Sequence, residues 1–395
     1  MTTCAATEGH GLRVSIVITG LSTGGAEMML FKLLERIDRS RFSLRVFSLT
    51  TLGEIGPRIQ ALGIPVEAMG MNRHAPSPLA VAALARRLRE TKTVLVHTWM
   101  YHADLLGSVA ARLAGVRTIA WCIHNTNLDR DKSKRATRLV ARLNATVSRW
   151  LPTGILCCAD AARDVHVRRG YSGDKMEVIP NGFDLSRFRP DSEARHAVRN
   201  ELNLAVDTPL VGVVGRHDPQ KNHAGFLAAA GLLLRSRPGV HFVLVGTGID
   251  AGNGELVAAA HRAGVFDVCH WLGQRDDIPR LMASLDVLAS SSFSEAFPNV
   301  LGEAMACGIP CAVTDVGDSA TIVGDTGRIV RSGDMPALAV AFDELLALDP
   351  EQRAAIGGRA RLRVEEHFEI GQVVRRYEDY YERLAQAARP RHDYE

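Results

Sequence analysis

Two glutamates and the turn between them form the segment of this sequence best suited to chemistry. Glu295 and Glu303 stand eight positions apart, and Phe297-Pro298-Asn299 separates them. An apolar run precedes the segment, so the pattern predicts a strand, a loop that carries Glu295 and a short helix that carries Glu303. A helix that begins near Asn299 would direct its first N–H groups towards an anion. Glu303 could then hydrogen-bond the hydroxyl groups of a ligand whose phosphates lie at that helix start.

Two cations stand on a loop in the second half of the chain. An apolar run ends at Gly215, and Arg216 and Lys221 follow it, five positions apart, before a helical pattern begins. The planar fork of an arginine and the point charge of a lysine can bind one diphosphate together. Basic loops are also common on ordinary solvated surfaces, so the residue types alone leave both interpretations open.

A pair of glycines and three histidines mark the first half of the chain. Gly24 and Gly25 lie between an apolar run and a helical pattern, where the lack of side chains lets a ligand approach the backbone. His97, His102 and His124 lie at the ends of two further apolar runs. Ligands of doubly wound sheets collect at the carboxyl ends of the strands. A glycine pair or a single histidine is often purely structural, and that alternative remains open.

Together these motifs resemble glycosyltransferase family 4, also called group 1. The resemblance is carried by Glu295 and Glu303 with the Ala-Met-Ala-Cys-Gly-Ile-Pro run after them, by Gly-Arg-x-x-x-x-Lys at 215–221 and by Gly-Gly-x-Glu at 24–27. Asn222 replaces a glycine of the family pattern. The resemblance implies a retaining enzyme of the α/β GT-B fold. Two Rossmann-like, doubly wound parallel-sheet domains would face each other across a cleft, as in bacterial polysaccharide-assembly members.

The resemblance also implies a role for each matching residue. The residues expected to be catalytic are His124, Glu295, Arg216 and Lys221. The residues expected to bind the donor nucleotide and its diphosphate are Gly24, Gly25, Arg216, Lys221, Arg275, Asn299, Val300 and Glu303. Glu27, His97 and His102 would lie on the acceptor side, with packing as the alternative for the two histidines.

Apolar runs and helical patterns alternate through both halves of the chain, which predicts two doubly wound sheets. A chain of 395 residues is long enough for two buried cores. We predict an acceptor-side domain at 1–185, a linker at 186–207 and a donor-binding domain at 208–368. The resemblance implies that a final amphipathic helix, 369–395, crosses back to the first domain.

The chemistry predicted from these residues is sugar transfer by a hexosyltransferase (EC 2.4). Negative charge develops on the leaving phosphate, and Arg216, Lys221 and the helix start could stabilise it in the role that a metal ion has elsewhere. We therefore expect no metal and no cofactor. The resemblance implies a nucleoside-diphosphate sugar, with a UDP-sugar as the expected donor, and a glycan or polyprenol-linked acceptor in cell-surface polysaccharide synthesis. A non-catalytic nucleotide-sugar binding protein and a GT-B sugar-nucleotide epimerase remain alternatives.

The composition bounds the partners and the compartment. A net charge of +3 gives no indication of nucleic acid binding, and seven scattered cysteines without zinc-ligand spacing suit a reducing cytosol. The sequence predicts neither a signal peptide nor a membrane span, so a cytoplasmic location is expected. The basic stretch 130–149 predicts an amphipathic helix. It is either a solvated face or a peripheral contact with anionic lipid on the cytoplasmic face of the inner membrane.

Overall fold

The computed structural model describes residues 11–72, 77–126 and 135–388. These residues form two compact units. Unit 1 takes its described residues from 1–182 and 371–395, and unit 2 is Phe183–Ile370. Both units are parallel sheets with helices between successive strands, which is the architecture that the alternating sequence pattern predicts.

The sheet of unit 1 has seven parallel strands in the order β3-β2-β1-β4-β5-β6-β7. The strands are β1 Leu12–Ile18, β2 Phe42–Ser48, β3 Val66–Ala68, β4 Leu95–Trp99, β5 Thr118–Ile123, β6 Gly154–Cys157 and β7 Met176–Val178. The helices among them are α1 Gly25–Arg36, α2 Ile55–Ala61, α3 Pro78–Glu90, α4 Tyr101–Leu113, α5 Arg135–Val147 and α6 Asp160–Arg168. The last five residues of β1 are all buried, as expected for an apolar strand covered on both faces.

The sheet of unit 2 has six parallel strands in the order β10-β9-β8-β11-β12-β13. The strands are β8 Leu210–Val214, β9 His241–Val245, β10 Cys269–Gly273, β11 Val287–Ser290, β12 Cys311–Thr314 and β13 Arg328–Val330. The helices are α7 Ser192–Glu201, α8 His223–Ser236, α9 Gly254–Ala263, α10 Ile278–Ser284, α11 Asn299–Ala306, α12 Ser319–Val323, α13 Met335–Ala347 and α14 Pro350–Phe368.

In both sheets the strand order reverses beside the first strand of the unit. In unit 1, β1 lies between β2 and β4, and in unit 2, β8 lies between β9 and β11. At such a point the following loops diverge and leave a crevice at the carboxyl ends of the strands, where ligands bind. In unit 2, the loop after β8 carries Arg216 and Lys221, and the loop after β11 carries Glu295. In unit 1, Gly24 and Gly25 follow β1.

The segment predicted as a linker, 186–207, belongs to unit 2 and contains α7. The buried Arg199 guanidinium donates to Asp286 Oδ2 at 2.9 Å, and Arg195 donates to Asp286 Oδ1 at 2.7 Å. Asp286 stands immediately before β11, so these bonds attach α7 to the sheet. The sequence prediction of a linker did not include this helix, because the polar composition of 186–207 resembles that of a connector.

The last helix, α15 Ile370–Ala387, packs within unit 1 from residue 371 onwards. Val373, Tyr377 and Tyr381 are buried, which agrees with the predicted apolar face. Next to Tyr377 on the helix, the buried Glu378 accepts hydrogen bonds from the Asp38 N–H at 2.8 Å and from Arg41 at 2.9 Å. The helix therefore combines apolar burial with polar attachment to the turn before β2.

No helix in the described part of the chain is long and apolar enough to cross a bilayer. The predicted basic stretch 130–149 is described from residue 135 onwards, and its first residues lie outside the described ranges. Within it, α5 buries Ala141, Asn144 and Ala145 and exposes Leu139 and Leu143.

Candidate functional site

Two of the predicted residues, Lys221 and Glu295, form an ion pair in unit 2. Lys221 Nζ donates to Glu295 Oε1 at 2.7 Å, and Ser292 Oγ donates to the same oxygen at 2.8 Å. The Lys221 side chain is 26% exposed and the Glu295 side chain 14% exposed. Because the pair is only partly solvated, its charges are screened less than those of a surface pair. The structure thus joins two residues that lie 74 positions apart in the sequence.

The loop that carries Glu295 is held at several backbone positions. Asp318 N–H donates to the Ala296 carbonyl at 3.0 Å, and Thr314 Oγ1 donates to the Ser292 carbonyl at 2.7 Å. Gly317 has a φ of +56°, and a Cβ there would lie 2.5 Å from the Glu295 carbonyl oxygen. Only glycine fits this position, both by conformation and by space. The Glu295 loop is therefore fixed by its neighbours and not by Glu295 alone.

Asn222 joins the loop after β8 to the loop after β11, at the switch point where the strand order of unit 2 reverses. Its φ is +52°, in the left-handed region that asparagine tolerates better than most residues. Its Oδ1 caps α8 by accepting from Gly225 N–H at 3.1 Å, and its Nδ2 donates to the Ser291 carbonyl at 3.2 Å. Ser291 Oγ donates in return to the Asn222 carbonyl at 2.9 Å. The conformation also explains why glycine is the usual residue of the family pattern at this position.

Arg216 lies on the same loop but points into solvent. Its side chain is 65% exposed, and it pairs with Asp218 Oδ2 at 3.0 Å. Burial raises the pKa of Asp218, but the hydrogen bond from Gln220 N–H and the Arg216 guanidinium outweigh it, so the pKa is lowered. Asp218 also caps the 3₁₀ turn Pro219–Lys221. Arg216 therefore shares the loop of Lys221, with a largely exposed guanidinium that is paired with Asp218.

The predicted helix after Glu295 is α11, and it begins at Asn299 as expected. Pro298 precedes it and has no side-chain acceptor, so the residue type provides no cap for the first N–H groups. Asn299, Val300 and Glu303 are all partly exposed. Behind them Gly302 lies against the Phe183 ring so closely that a Cβ would overlap it. This contact fixes α11 against the rest of unit 2.

Arg275 was predicted to bind the donor nucleotide, and the structure places it in a network of carboxylates. It donates to Asp277 at 2.8 and 2.9 Å and to Glu201 at 2.6 and 3.4 Å. The hydrogen bonds that Arg275 donates to Asp277 and Glu201 raise the pKa of its guanidinium. Four of the five N–H donors of an arginine are thereby used. A role in attaching the C-terminal end of α7 accounts for these contacts.

In unit 1 the glycine pair stands at the start of α1, whose first residue is Gly25. Gly24 is the N-cap of α1 in an extended conformation, and a Cβ on Gly24 would overlap the Glu27 carboxylate. The preceding Thr23 donates its N–H to Glu54 at 2.8 Å, which holds the loop against the start of α2. The sequence motif therefore brings Gly24 and Glu27 together within one turn of backbone.

His124 follows β5 and is held on two sides. Its ring stacks on the fully buried Trp99 ring with 4.6 Å between centroids and 17° between planes. Its Nε2 lies 3.1 Å from Cys122 Sγ, and Cys122 Sγ lies 3.9 Å from the Tyr377 hydroxyl. Desolvation by these neighbours lowers the pKa of His124 to about 3. The imidazole is therefore neutral at physiological pH.

The other two histidines have different environments. His97 is fully buried, and its Nδ1 accepts hydrogen bonds from Trp99 Nε1 at 3.2 Å and from the Tyr381 hydroxyl at 2.8 Å. Burial, with a smaller contribution from His124, lowers its pKa to about 3. The acceptor-side prediction for His97 is therefore corrected to packing, because a fully buried ring has no surface to offer an acceptor. His102 is partly exposed in the first turn of α4 and stays a candidate.

Two family models match the two halves of the chain. A model described as Glycosyltransferase Family 4 matches residues 23–187, and one described as Glycosyl transferases group 1 matches residues 208–348. The chain belongs to glycosyltransferase family 4. The family and the enzyme class predicted from the sequence are thereby confirmed, and the protein is a hexosyltransferase-type glycosyltransferase.

Two curated relatives cover most of this family 4 chain. EpsF of Bacillus subtilis, whose name describes a glycosyltransferase, is 29% identical over 77% of the chain and 79% of its own length. A UDP-Gal:alpha-D-GlcNAc-diphosphoundecaprenol alpha-1,3-galactosyltransferase of Escherichia coli is 26% identical over 76% of the chain and 78% of its own length.

Solved structures show the same fold. HepE (Alr3699) of Anabaena in complex with UDP superposes with a TM-score of 0.83 at 22% identity, over 94% of this chain and all of its own. WaaG, a glycosyltransferase involved in lipopolysaccharide biosynthesis, superposes with a TM-score of 0.72 at 17% identity, over 93% of this chain and 99% of its own. The predicted GT-B fold, with two parallel-sheet α/β domains, is confirmed.

Several residues of this glycosyltransferase were not singled out from the sequence. Ser292 precedes Glu295 by three positions and donates to Glu295 Oε1, the oxygen that also accepts from Lys221. Trp99 and Cys122 hold the His124 ring, and both lie at or near the carboxyl ends of strands that pair with each other. The position of Ser292 on a polar loop was a usable signal. The pairing of Trp99 with His124 was not, because it depends on strand order.

Proposed function

We propose that this glycosyltransferase transfers a hexose, with retention of configuration and without a metal ion, from a UDP-sugar to a glycan or polyprenol-linked acceptor in cell-surface polysaccharide synthesis. The observation that carries the proposal is the Lys221–Glu295 pair, with Arg216 on the same loop. The galactosyltransferase relative is named for a UDP-sugar and a lipid-linked acceptor, and HepE was crystallised with UDP and with UDP-glucose. These names support the donor and acceptor classes.

Lys221 and Arg216 are suited to stabilise the leaving diphosphate. Lys221 Nζ carries three N–H donors, and Glu295 accepts one of them, so the carboxylate orients the ammonium group. Charge that develops on the β-phosphate would be met by fixed cations, which is the largest single contribution in many enzymes. We propose the first N–H groups of α11, at Asn299 and Val300, as a further set of donors to the diphosphate.

Glu303 is proposed to bind the ribose hydroxyls. It lies one helical turn beyond Asn299 on α11 and is partly exposed. A carboxylate one turn above a phosphate-binding helix start is about 6 Å away, which matches the span from a diphosphate to a ribose ring. Glu295 is proposed to contact the donor sugar while it holds Lys221. The contacts of Arg275 favour a supporting role over a direct one.

His124 is proposed to act as a neutral hydrogen-bond donor in unit 1. Burial raises the pKa of the Cys122 thiol well above its usual value, so the group stays S–H. If the Tyr377 hydroxyl donates to Sγ, the S–H is oriented to donate to His124 Nε2. The imidazole proton then resides on Nδ1, from where it can be donated to a sugar hydroxyl. The pKa of about 3 argues against a general base.

The donor assignment is tested by calorimetry with a panel of UDP-, GDP- and ADP-sugars. We expect UDP-sugars to bind, and Glu303→Ala to weaken binding by about 1.5–3 kcal/mol, the scale of a hydrogen bond to a charged group. Glu351→Ala, an exposed glutamate of α14, is the matched control and should change nothing. Unchanged UDP affinity in Glu303→Ala would contradict the ribose assignment.

Turnover separates the proposal from its alternatives. Incubation with a UDP-hexose and lipid-linked acceptors should release UDP and give a product whose anomeric configuration, read by NMR coupling constants, equals that of the donor. EDTA should not change the rate. An altered UDP-sugar without transfer would indicate an epimerase, and binding without any reaction would indicate a non-catalytic binding protein.

We also propose peripheral contact with an anionic membrane through α5 and the turn after it. The Leu139 side chain is 59% exposed, Leu143 45% and Trp150 71%. Arg135, Arg142 and Arg149 are exposed in the same segment, so apolar and cationic groups alternate along it. Such a surface can bury its apolar side chains at the headgroup boundary while the arginines bind anionic lipid.

Sedimentation with vesicles tests the membrane contact. The protein should sediment with vesicles that contain phosphatidylglycerol at low salt, and less at high salt. Trp150→Ser and Leu139→Ser should reduce sedimentation, whereas Leu362→Ser, an exposed leucine of unit 2, should not. Equal sedimentation with neutral and anionic vesicles would contradict the electrostatic part of the proposal.

A further inference from the structure

A cavity of about 350 Å³ lies in unit 1 at the edge of the sheet where β1 and β2 begin. Its lining includes three arginines, which are Arg13, Arg39 and Arg45. No carboxylate is found among the described residues that line it. Its volume falls in the range of small-molecule sites. Three guanidinium groups around one concave surface without a counter-charge favour an anionic ligand.

The sheet register places the charged and polar residues of the cavity on one face. Arg13 of β1 is paired with Ser43 of β2, and Ser15 of β1 with Arg45 of β2. Alternate residues of a strand share a face, and paired residues of neighbouring strands lie side by side. The four side chains therefore form a two-by-two block in which each arginine has a hydroxyl neighbour along its strand and across it.

Two of the three arginines already have a structural role. Arg13 Nε donates to the Lys92 carbonyl at 2.7 Å, and Arg39 donates to the Leu62 carbonyl. Both carbonyls follow the C-terminal ends of helices, where the helix dipole favours a cation. Each contact uses part of a five-donor guanidinium, so N–H groups remain for a ligand.

The third arginine, Arg45, does not bind a carbonyl group at a helix end. It lies in the interior of β2 and is only partly exposed, and its guanidinium forms no hydrogen bond or ion pair with the described residues. Partial burial of an arginine costs free energy that a solvent-exposed side chain would avoid. A half-buried guanidinium without a partner, at a cavity with two further guanidinium groups, is the arrangement expected of an anion site between ligand-binding events.

The hydroxyl groups of the cavity add a second requirement. Thr91 Oγ1 donates to the Arg87 carbonyl at 2.9 Å, so its proton is used. Thr93 Oγ1, 2.8 Å from Thr91 Oγ1, must then donate to it, and Ser15 Oγ, 2.7 Å from Thr93, must donate to Thr93. The chain of donors leaves lone pairs on Ser15 and Thr93 and no proton to give. These two oxygens can only accept hydrogen bonds from a ligand.

We propose that this cavity binds a small phosphorylated sugar or polyol. Its phosphate is held by Arg45 together with Arg13 and Arg39, and its hydroxyl groups donate to Ser15 and Thr93. The ligand thus needs an anionic end and a hydroxylated end, which inorganic phosphate and an uncharged sugar each satisfy only in part. The site is separate from the switch point of unit 1, because β1 alone spans about 20 Å between its two ends.

Calorimetric titration of the full chain with glucose 6-phosphate tests the proposal, with glucose and inorganic phosphate as partial probes. We expect glucose 6-phosphate to bind more tightly than either. Arg45→Gln and Arg13→Gln should each lower the affinity for glucose 6-phosphate at least about tenfold, the scale of one lost charge-assisted hydrogen bond. Arg45→Lys should give an intermediate loss, since it keeps the charge but not the fork. Ser15→Ala should weaken the binding of glucose 6-phosphate and leave the affinity for inorganic phosphate unchanged.

The controls separate this cavity from the candidate donor site of unit 2. Arg117→Gln, an exposed arginine of unit 1, and Lys221→Gln should both leave the affinity for glucose 6-phosphate unchanged. Circular dichroism and melting temperature establish that Arg45→Gln is folded, and Arg13→Gln at the strand edge gives an independent reading. Binding that survives both arginine substitutions, or that is lost in Lys221→Gln, would overturn the proposal. Equal affinity for inorganic phosphate and glucose 6-phosphate would overturn the role of the hydroxyl groups.

Discussion

The contacts of the candidate residues Lys221 and Arg216 in unit 2 differ in charge from those of His124 in unit 1. In unit 2 the contacts are charged, since Lys221 pairs with Glu295 and Arg216 pairs with Asp218. In unit 1 the contacts are neutral, since His124 stacks on Trp99 and lies against a protonated thiol. Charged groups in unit 2 suit the binding of a diphosphate, whereas neutral donors in unit 1 suit hydroxyl groups.

Burial explains the difference between the units. In unit 1, His97 and Cys122 lie against α15, whose Tyr377 and Tyr381 are fully buried. Desolvation there lowers the pKa of histidines and raises that of cysteine and tyrosine. The unit 2 loops are more exposed, and each charge has an opposite charge beside it. The same switch-point architecture can therefore present either kind of chemistry.

The largest predicted difference between the units is their response to acid. Burial lowers the pKa of His97 and His124 to about 3 and of His166 to about 4 in unit 1. In unit 2 burial lowers the pKa of His223 to about 4 and also lowers the pKa of His241 and His270. Unfolded histidines titrate near 6.5, so stability is fully present above that pH. As the pH falls towards 4, the unfolded chain binds protons that the folded chain does not, at about 1.4 kcal/mol per pH unit for each histidine.

Both units should lose stability as the pH falls from 6.5 to 4, and unit 1 should go on losing it below pH 4, because His97 and His124 are still neutral in the folded chain there. Pulse-labelling hydrogen exchange in urea, read by mass spectrometry on peptides from each unit, measures the two unfolding transitions separately. A matched experiment on His97→Gln should show a shallower pH dependence for unit 1. Parallel loss in both units below pH 4 would contradict the assignment of neutral, buried histidines to unit 1.

A pair of aspartates tests the same contrast by mutation. Asp286 in unit 2 accepts from Arg195, Arg199 and the Leu210 N–H. Asp286→Asn should cost about 3–5 kcal/mol, because two guanidinium groups lose their buried counter-charge.

The matched change in unit 1 is Asp104→Asn. Asp104 is fully buried, accepts from Thr98 at 2.6 Å and has a pKa raised well above its usual value by burial, so it is a neutral acid. An amide of the same shape should cost less than about 1 kcal/mol. Urea denaturation measures both, and equal costs would contradict the difference in charge state.

Activity should depend more on the charged residues than on the neutral ones. Lys221→Ala should lower kcat roughly 10²–10³-fold, as expected for a group that stabilises developing charge. Lys221→Arg should restore part of it. His124→Ala should lower kcat about tenfold, the scale of one neutral hydrogen bond. Because His124 stays neutral, the pH–rate profile of the wild type should show no ionisation of this residue near pH 6.5. An ionisation that is present in the wild type and absent in His124→Ala would contradict this expectation. Such an ionisation would identify His124 as a general base.

The smallest predicted effect concerns the thiol beside His124. Cys122→Val removes the group at 3.1 Å from Nε2, and kcat should fall a few-fold with little change in KM. Cys122→Ser keeps a donor and should keep the rate. Nitrogen-15 chemical shifts of His124 should show the proton on Nδ1 in the wild type and in Cys122→Ser, and a mixture of tautomers in Cys122→Val. A fixed tautomer in all three would contradict a positioning role for Cys122.

The sequence predicted the parts of this protein that depend on local order. Apolar runs between helical patterns predicted both parallel sheets, because such strands are buried on both faces. Asn299 was correctly predicted as the start of a helix from the Phe-Pro-Asn turn before it. Gly215, Arg216 and Lys221 were placed on one loop because they are close in the chain.

The tertiary structure decided which of those parts touch. Lys221 meets Glu295 only because β8 and β11 are neighbours in the sheet, and strand order is not written in local spacing. His97 and His124 looked alike in the sequence, yet one is enclosed by Tyr381 and the other retains an exposed edge. The attachment of α7 to the sheet could not be predicted, because Asp286, which binds Arg199, lies 87 positions away in the sequence. Burial and long-range charge pairing arise from packing, so sequence spacing alone could not assign them.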